Sequence, residues 1–183
     1  MDGFDEVLAA AREGEESALA QLYRAIYPRF VRYASAVAPG DAHDVAADAW
    51  LDIARSLHRF HGDEQAFRAW AFTIARRRLL DLQRTRSRRR TDPVDPRTLV
   101  GAGDHGDVEE DALASLGTDW AIRLITTSLS RDQAEVVLLR VIGDLRVNDV
   151  ASIMRKRPGT IRVLQHRAIR QLAQVLRREG VTP

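Results

Sequence analysis

Apolar residues recur along the chain at three- and four-residue intervals, and no strand-like alternation persists. Phe4, Val7, Leu8 and Ala11 predict a short first helix that Gly14 ends. Ser17, Leu19, Leu22, Ile26 and Phe30 predict a second, which Pro28 is expected to bend. Pro39-Gly40 breaks the chain, and Asp41 suits the N-cap of a third helix, about Asp41 to His58. On that helix Val45, Ala49, Ile53 and Leu57 recur every four residues as one apolar stripe, with Trp50 beside it. A loop from Arg59 to Glu64 precedes a fourth helix, whose Phe67, Trp70, Ala71, Ile74 and Ala75 are spaced for a core face.

The pattern resumes near residue 120. Trp120, Leu124 and Ile125 predict a helix ending near Leu129-Ser130. Ser130, with Gln133 three residues on, has the pattern of a capping box for the next helix, which Val136, Val137, Leu139 and Val141 carry to Gly143. Asp149, Val150, Ile153 and Met154 predict a short helix. A turn through Arg155-Lys156-Arg157-Pro158-Gly159 then leads into a last helix, about Thr160 to Arg178. There Ile161, Gln165, Ala168, Ile169 and Leu172 are expected to face inward, with Thr160, Val163, Arg167 and Arg170 opposite, near Arg162. A short helix, a tight turn and a longer basic helix make a helix-turn-helix, whose second helix enters the DNA major groove. Arginine reads guanine bidentately, and Val163 suits a thymine methyl group.

The 183 residues allow one medium domain or two small ones, and the middle of the chain favours two. Thr91 to Pro96 holds two prolines, and Gly101 to Asp107 holds three glycines, so neither stretch sustains a helix. The expected organisation is all-α: a domain at 1–87, a flexible acidic linker at 88–115 and a helix-turn-helix domain at 116–183. Charge follows the same division. Eight of the fifteen residues from Arg76 to Arg90 are arginine, and only Asp81 opposes them. Thr91 to Asp119 holds eight acids against Arg97 alone, and Arg140 to Arg178 holds ten basic residues against Asp144 and Asp149. Two cationic surfaces flanking an acidic connector form the footprint of a nucleic-acid binder. Aromatics beside cations suit single-stranded nucleic acid. Phe60, on a glycine-containing loop, is the better candidate for a base contact, and Trp70 is expected in the core.

The third helix adds a different signal. Asp41, Asp44, Asp48 and Asp52 form an acidic stripe apart from the apolar one. Like charges at this spacing cost about a few tenths of a kcal/mol per pair, and a cationic protein partner would relieve them. Other chemistries are excluded or unsupported. The chain has no cysteine, so disulfides, thiolate catalysis and cysteine-ligated zinc are ruled out. It has no phosphate-binding glycine loop, no zinc-protease motif and no nucleophile elbow. His58 and His61 have no further ligand in register, so neither metal nor cofactor is expected. No apolar run approaches the roughly 20 residues that span a bilayer. The acidic start, Met1 to Glu6, lacks the basic region of a signal peptide. A cytoplasmic protein that does not touch the membrane is expected.

Segments in order along the chain resemble one family. Asp41-Ala42-His43-Asp44-Val45-Ala46-Ala47-Asp48-Ala49-Trp50-Leu51 resembles the region of bacterial sigma factors that holds core RNA polymerase. Phe67 to Arg77 resembles the promoter-melting region of the extracytoplasmic-function (ECF) group. Ser130 to Arg140 and Gly159 to Ala168 resemble its C-terminal helix-turn-helix domain. The resemblance implies that Asp41, Asp44, Asp48 and Asp52 dock on the clamp helices of the polymerase's largest subunit. It also implies a contact with the flap of the second subunit. Phe60, His61, Gly62, Asp63, Arg68, Arg76 and Arg77 would open and read the minus-10 element. Arg157, Thr160, Arg162, Val163, His166, Arg167 and Arg170 would read the minus-35 element. It further implies an anti-sigma factor as partner, an acidic linker threading the RNA exit path, and no N-terminal autoinhibitory region. The chain departs from the family at Ala47 and Asp48, where Gln and Glu are usual, and at Val163, Leu164 and Gln165. A helix-turn-helix repressor or activator that binds operator DNA without polymerase is the alternative. It accounts for residues 120–178 but not for the acidic stripe or the N-terminal basic patch.

Overall fold

The computed structural model describes the backbone of residues 3–89 and 109–178, and the side chains of 3–88 and 119–178. Every regular element among them is helical. Four helices form the N-terminal half: α1 (Phe4–Arg12), α2 (Glu16–Val37), α3 (Ala42–Ser56) and α4 (Glu64–Arg89). Four form the C-terminal half: α5 (Glu109–Ser128), α6 (Arg131–Val141), α7 (Val147–Met154) and α8 (Pro158–Arg178).

The apolar stripes do what their spacing requires. Leu22, Ile26 and Phe30 of α2 meet Ala49 and Ile53 of α3 and Ala71, Phe72 and Ala75 of α4 in one buried core, which Phe4 and Leu8 of α1 close. Phe72 is fully buried, with its ring edge-on to Phe30 at 5.2 Å and to Tyr33 at 5.7 Å. Full burial of such a side chain stabilises by about 1.5–3 kcal/mol. Pro28 lies inside α2 without ending it. Gly14 takes a left-handed φ of 89° just after α1, where a side chain would be strained.

Several expectations need correction. Asp41 precedes α3 but makes no capping hydrogen bond, because its carboxylate is held by Arg86 of α4. The helix expected to begin at Trp120 begins at Glu109. Its first residues, Glu109, Glu110 and Asp111, favour the positive end of a helix dipole, and only Gly117 opposes helix between them and Trp120. Helix therefore occupies both ends of the segment expected to be linker, and residues 90–108 lie outside the described residues. The capping box is present, with the Ser130 N–H donating to Gln133 Oε1 at 3.0 Å.

The two halves also touch. Val136, Leu138, Leu139, Val150 and Ile153 join the same apolar cluster as the N-terminal core, and α4 packs along α7.

Candidate nucleic-acid interface

On α8 the outward face is continuous. Thr160, Arg162, Val163, His166, Arg167 and Arg170 are all exposed, as is Arg157 in the turn before the helix. At about 100° per residue these α8 side chains span less than half of the helix circumference. Ile161 and Ala168 are buried on the other side, with Leu164, Gln165 and Leu172 partly covered. Ile169, expected inside, is 54% exposed, because its position falls at the rim of the buried arc. The turn that presents α8 is closed by Arg155 in the left-handed conformation, with the Lys156 N–H donating to the Ala151 carbonyl at 2.9 Å. Arg162, Arg167 and Arg170 make no ion pair among the described residues. Val163, 49% exposed, is an apolar spot within that cationic face.

The acidic stripe on α3 divides in two. Asp41 and Asp52 turn toward α4, where Arg86 holds the first and Arg78 the second, its Nε 2.7 Å from Asp52 Oδ2. The Arg78 hydrogen bond keeps the Asp52 carboxyl below its ordinary pKa despite partial desolvation. Asp44 and Asp48 are exposed and carry no ion pair among the described residues. Leu51, beside them in sequence, is 48% exposed. A short helix thus offers an acidic surface with an apolar edge.

The loop between α3 and α4 differs from expectation at one ring. Phe60 turns inward, 9% exposed, stacked on Trp70 at 4.9 Å and edge-on to Phe67 at 5.7 Å. Packing three aromatics together is favourable, and in this structure the ring expected to meet a base is packed against the core. Trp70 packs against that core, as its spacing implied. Gly62 is where the loop needs glycine: φ is 153°, and an added Cβ would lie 2.9 Å from the Ala66 Cβ and 3.0 Å from the Phe60 ring. Asp63 caps α4, accepting from the Ala66 N–H at 2.7 Å. His61, Gly62 and Asp63 are exposed, and so is Arg77.

Arg68 and Arg76 face the C-terminal half. Arg76 forms a fork with Glu135 of α6, Nε to Oε1 at 2.7 Å and Nη2 to Oε2 at 3.3 Å, while its Nη1 donates to the Ile153 carbonyl of α7 at 3.1 Å. The Tyr33 hydroxyl donates to Glu135 Oε1 at 3.2 Å. Burial, then the charge of Glu135, raises the Tyr33 phenol above its ordinary pKa. Burial works against the charge of Arg76, but the hydrogen bonds and charge of Glu135 overcome it, and the guanidinium sits above its ordinary value. Nearby, Arg68 lies 3.6 Å from Asp144, and Gln65 donates to Asp149 at 3.0 Å. Nothing in the sequence pattern tied Glu135 or Tyr33 to this cluster, since periodicity assigns a face and not a partner on another helix.

Comparison with known proteins finds a family match in each half. Residues 22–89 match sigma-70 region 2, and residues 120–172 match sigma-70 region 4. Over 171 residues the chain is 30% identical to the ECF RNA polymerase sigma factor ShbA of Streptomyces griseus, covering 88% of this chain and 89% of the relative. The chain belongs to the ECF RNA polymerase sigma factors. It is 28% identical over 178 residues to SigD of Mycobacterium tuberculosis, covering 92% of this chain and 81% of that one. Two solved structures share the fold. One is the sigma factor RpoE of Bartonella quintana in complex with the anti-sigma factor NepR, with a TM-score of 0.63 and 21% identity over 86% of this chain and 96% of that one. The other is CnrH in complex with the cytosolic domain of CnrY, with a TM-score of 0.62 and 20% identity over 93% of this chain and 94% of that one. In this sigma factor, the region 2 match runs from Leu22, early in α2, to the end of α4, and the region 4 match takes in α6, α7 and most of α8. No helix among the described residues is long and apolar enough to cross a membrane.

Proposed function

We propose that this ECF sigma factor binds core RNA polymerase through α3 and places its two regions on the minus-10 and minus-35 promoter elements. The observation that carries the reading is the pair Asp44 and Asp48. They are exposed on α3 without an ion pair among the described residues, while their neighbours in the stripe are neutralised by α4. Operator binding gains nothing from such a surface, because phosphate repels a carboxylate. A cationic protein helix relieves it, and on this reading that partner is the clamp helices of the largest polymerase subunit.

On this reading α8 lies in the major groove of the minus-35 element. Arg162, Arg167 and Arg170 supply donors to bases and phosphates, and Val163 meets a thymine methyl. His61, Gly62, Asp63 and Arg77 border the minus-10 strand, with Phe60 and Trp70 as the packed support of that loop. Arg68 and Arg76 join them once they leave the C-terminal half. The helix-turn-helix domain rests on the flap of the second subunit, and an anti-sigma factor covers the protein when it is silent. The place of action is the cytoplasm. The bond-making chemistry belongs to the polymerase, so the chain needs no catalytic residue and no cofactor of its own.

In vitro transcription with core polymerase and a pool of promoter fragments tests the reading. Asp44→Arg with Asp48→Arg should cut core affinity at least about tenfold, equivalent to about 1.4 kcal/mol, and abolish promoter-dependent transcripts with the helical fold intact. Unchanged core affinity would sink the docking assignment.

A further inference from the structure

A second aromatic cluster lies outside the core, where α2 meets α3. Tyr23 and Tyr27 of α2 stack with 4.5 Å between ring centres, and Trp50 of α3 meets Tyr23 edge-on at 5.2 Å. Tyr27 and Trp50 are half-buried and rest on the core, while Tyr23 is 36% exposed. Rings held in this way are already ordered, so covering them costs little conformational entropy. Along α3, Asp44, Ala47 and Trp50 follow at three-residue intervals on one side of the helix. Ala47, exposed, puts only a methyl group between the rings and the carboxylate. The charge of Asp44 reaches the cluster: burial, then Tyr23, then Asp44 raise the Tyr27 phenol above its ordinary pKa. Asp48 and Leu51, both exposed, extend the same surface. Aromatic faces are negative, so rings and carboxylates together select a cation with a flat apolar face.

We propose that Tyr23, Tyr27 and Trp50 receive an arginine side chain of the docking polymerase helix, whose guanidinium lies on the open Tyr23 ring and donates to Asp44. The inference rests on the assignment of α3 to core polymerase, and it names the side chain which that surface recognises. Arginine fits better than lysine. A planar guanidinium stacks on a ring and still directs N–H groups to a carboxylate at its edge, whereas an ammonium is a compact, strongly hydrated point charge. Tyrosine, tryptophan and arginine are also the residues that concentrate binding energy at interfaces. Docking then uses α2 as well as α3, and Asp44 acts together with a ring rather than as an isolated charge.

The test is competition for core polymerase. The chain has no cysteine, so a fluorophore on Gln174→Cys, an exposed position, gives a labelled full chain that unlabelled variants displace. Tyr23→Leu keeps apolar bulk but removes the ring face, and should weaken core affinity about tenfold. Tyr23→Phe keeps the face and should stay within about threefold. A phenylalanine at position 23 carrying one to four ring fluorines keeps its shape while its face loses negative charge. Affinity should fall with each fluorine, and this series serves if Tyr23→Leu fails to fold. Asp44→Asn combined with Tyr23→Leu should lose less than the product of the separate losses, because both hold one guanidinium. Affinity unchanged by Tyr23→Leu, or level across the fluorine series, overturns the arginine site. Losses that multiply fully overturn the sharing of one cation. Reversal of Asp44 and Asp48 to arginine separates the two levels. If it abolishes core binding while the Tyr23 variants bind normally, the arginine site alone fails; if it too leaves affinity unchanged, the docking of α3 fails with it.

Discussion

On α4, Arg68, Arg76, Arg78 and Arg86 each meet a carboxylate of this chain. On α8, Arg162, Arg167 and Arg170 meet none among the described residues. Both helices are arginine-rich, and composition alone treats them alike. The difference lies in what each packs against. α4 runs between α3, with its row of aspartates, and the acidic side of α6 and α7, so its cations find partners on both flanks. α8 turns one face to α6 and α7 and leaves the other to solvent, where its cations stay available. Exposure and pairing, rather than residue type, separate arginines that hold the molecule together from arginines left open to solvent.

Substitutions at the two kinds of site should therefore fail in different assays. The largest stability effect is expected at Arg76. Arg76→Ala leaves Glu135 half-buried without its cation, which should cost about 2–4 kcal/mol, read as a lower urea midpoint. Restoring the balance with Glu135→Gln in the same chain should recover part of that loss. Equal stability of Arg76→Ala and the unsubstituted protein would erase the distinction between the helices. Arg167→Ala should do the reverse. Folding stability should change by less than about 0.5 kcal/mol, while promoter binding weakens by about 1–3 kcal/mol if the guanidinium reads a base. A loss of the same size on every DNA sequence would make it a phosphate contact.

The smallest effect is expected at Asp52 and Arg78, which are about one-third exposed and worth about 0.5 kcal/mol after screening. The folded carboxyl of Asp52 lies below its ordinary value of 3.8. Its contribution is thus full above that value and is lost as pH falls through the lower folded value. Denaturation curves collected from pH 6 down to about pH 3 should show Asp52→Asn less stable than the unsubstituted chain at the upper end and the gap closing at the lower end. A gap that stays constant with pH would mean that Asp52 acts by packing and not by charge.

Much of this contrast is legible in the sequence, and the parts that are not share a cause. The α3 stripes and the outward face of α8 follow from 3.6-residue periodicity, which reports direction around one helix. Ile169 departs from its expected place because it sits at the rim between two arcs, where periodicity is least decisive. Phe60 departs because aromatic packing across a loop is not periodic at all. The start of α5 escapes the apolar pattern because Glu109 to Asp111 lack apolar residues, although acids suit a helix beginning. The pairing of Arg76 with Glu135, 59 positions apart, belongs to tertiary structure, and a single sequence holds no signal of which face meets which.

The apolar cluster that runs unbroken from α4 into α7 has a thermodynamic consequence. Two halves that share one packed core lose that packing together, so a cavity cut in α6 or α7 lowers the local stability of α4 as well, and the cost of a core substitution is not confined to the half that carries it.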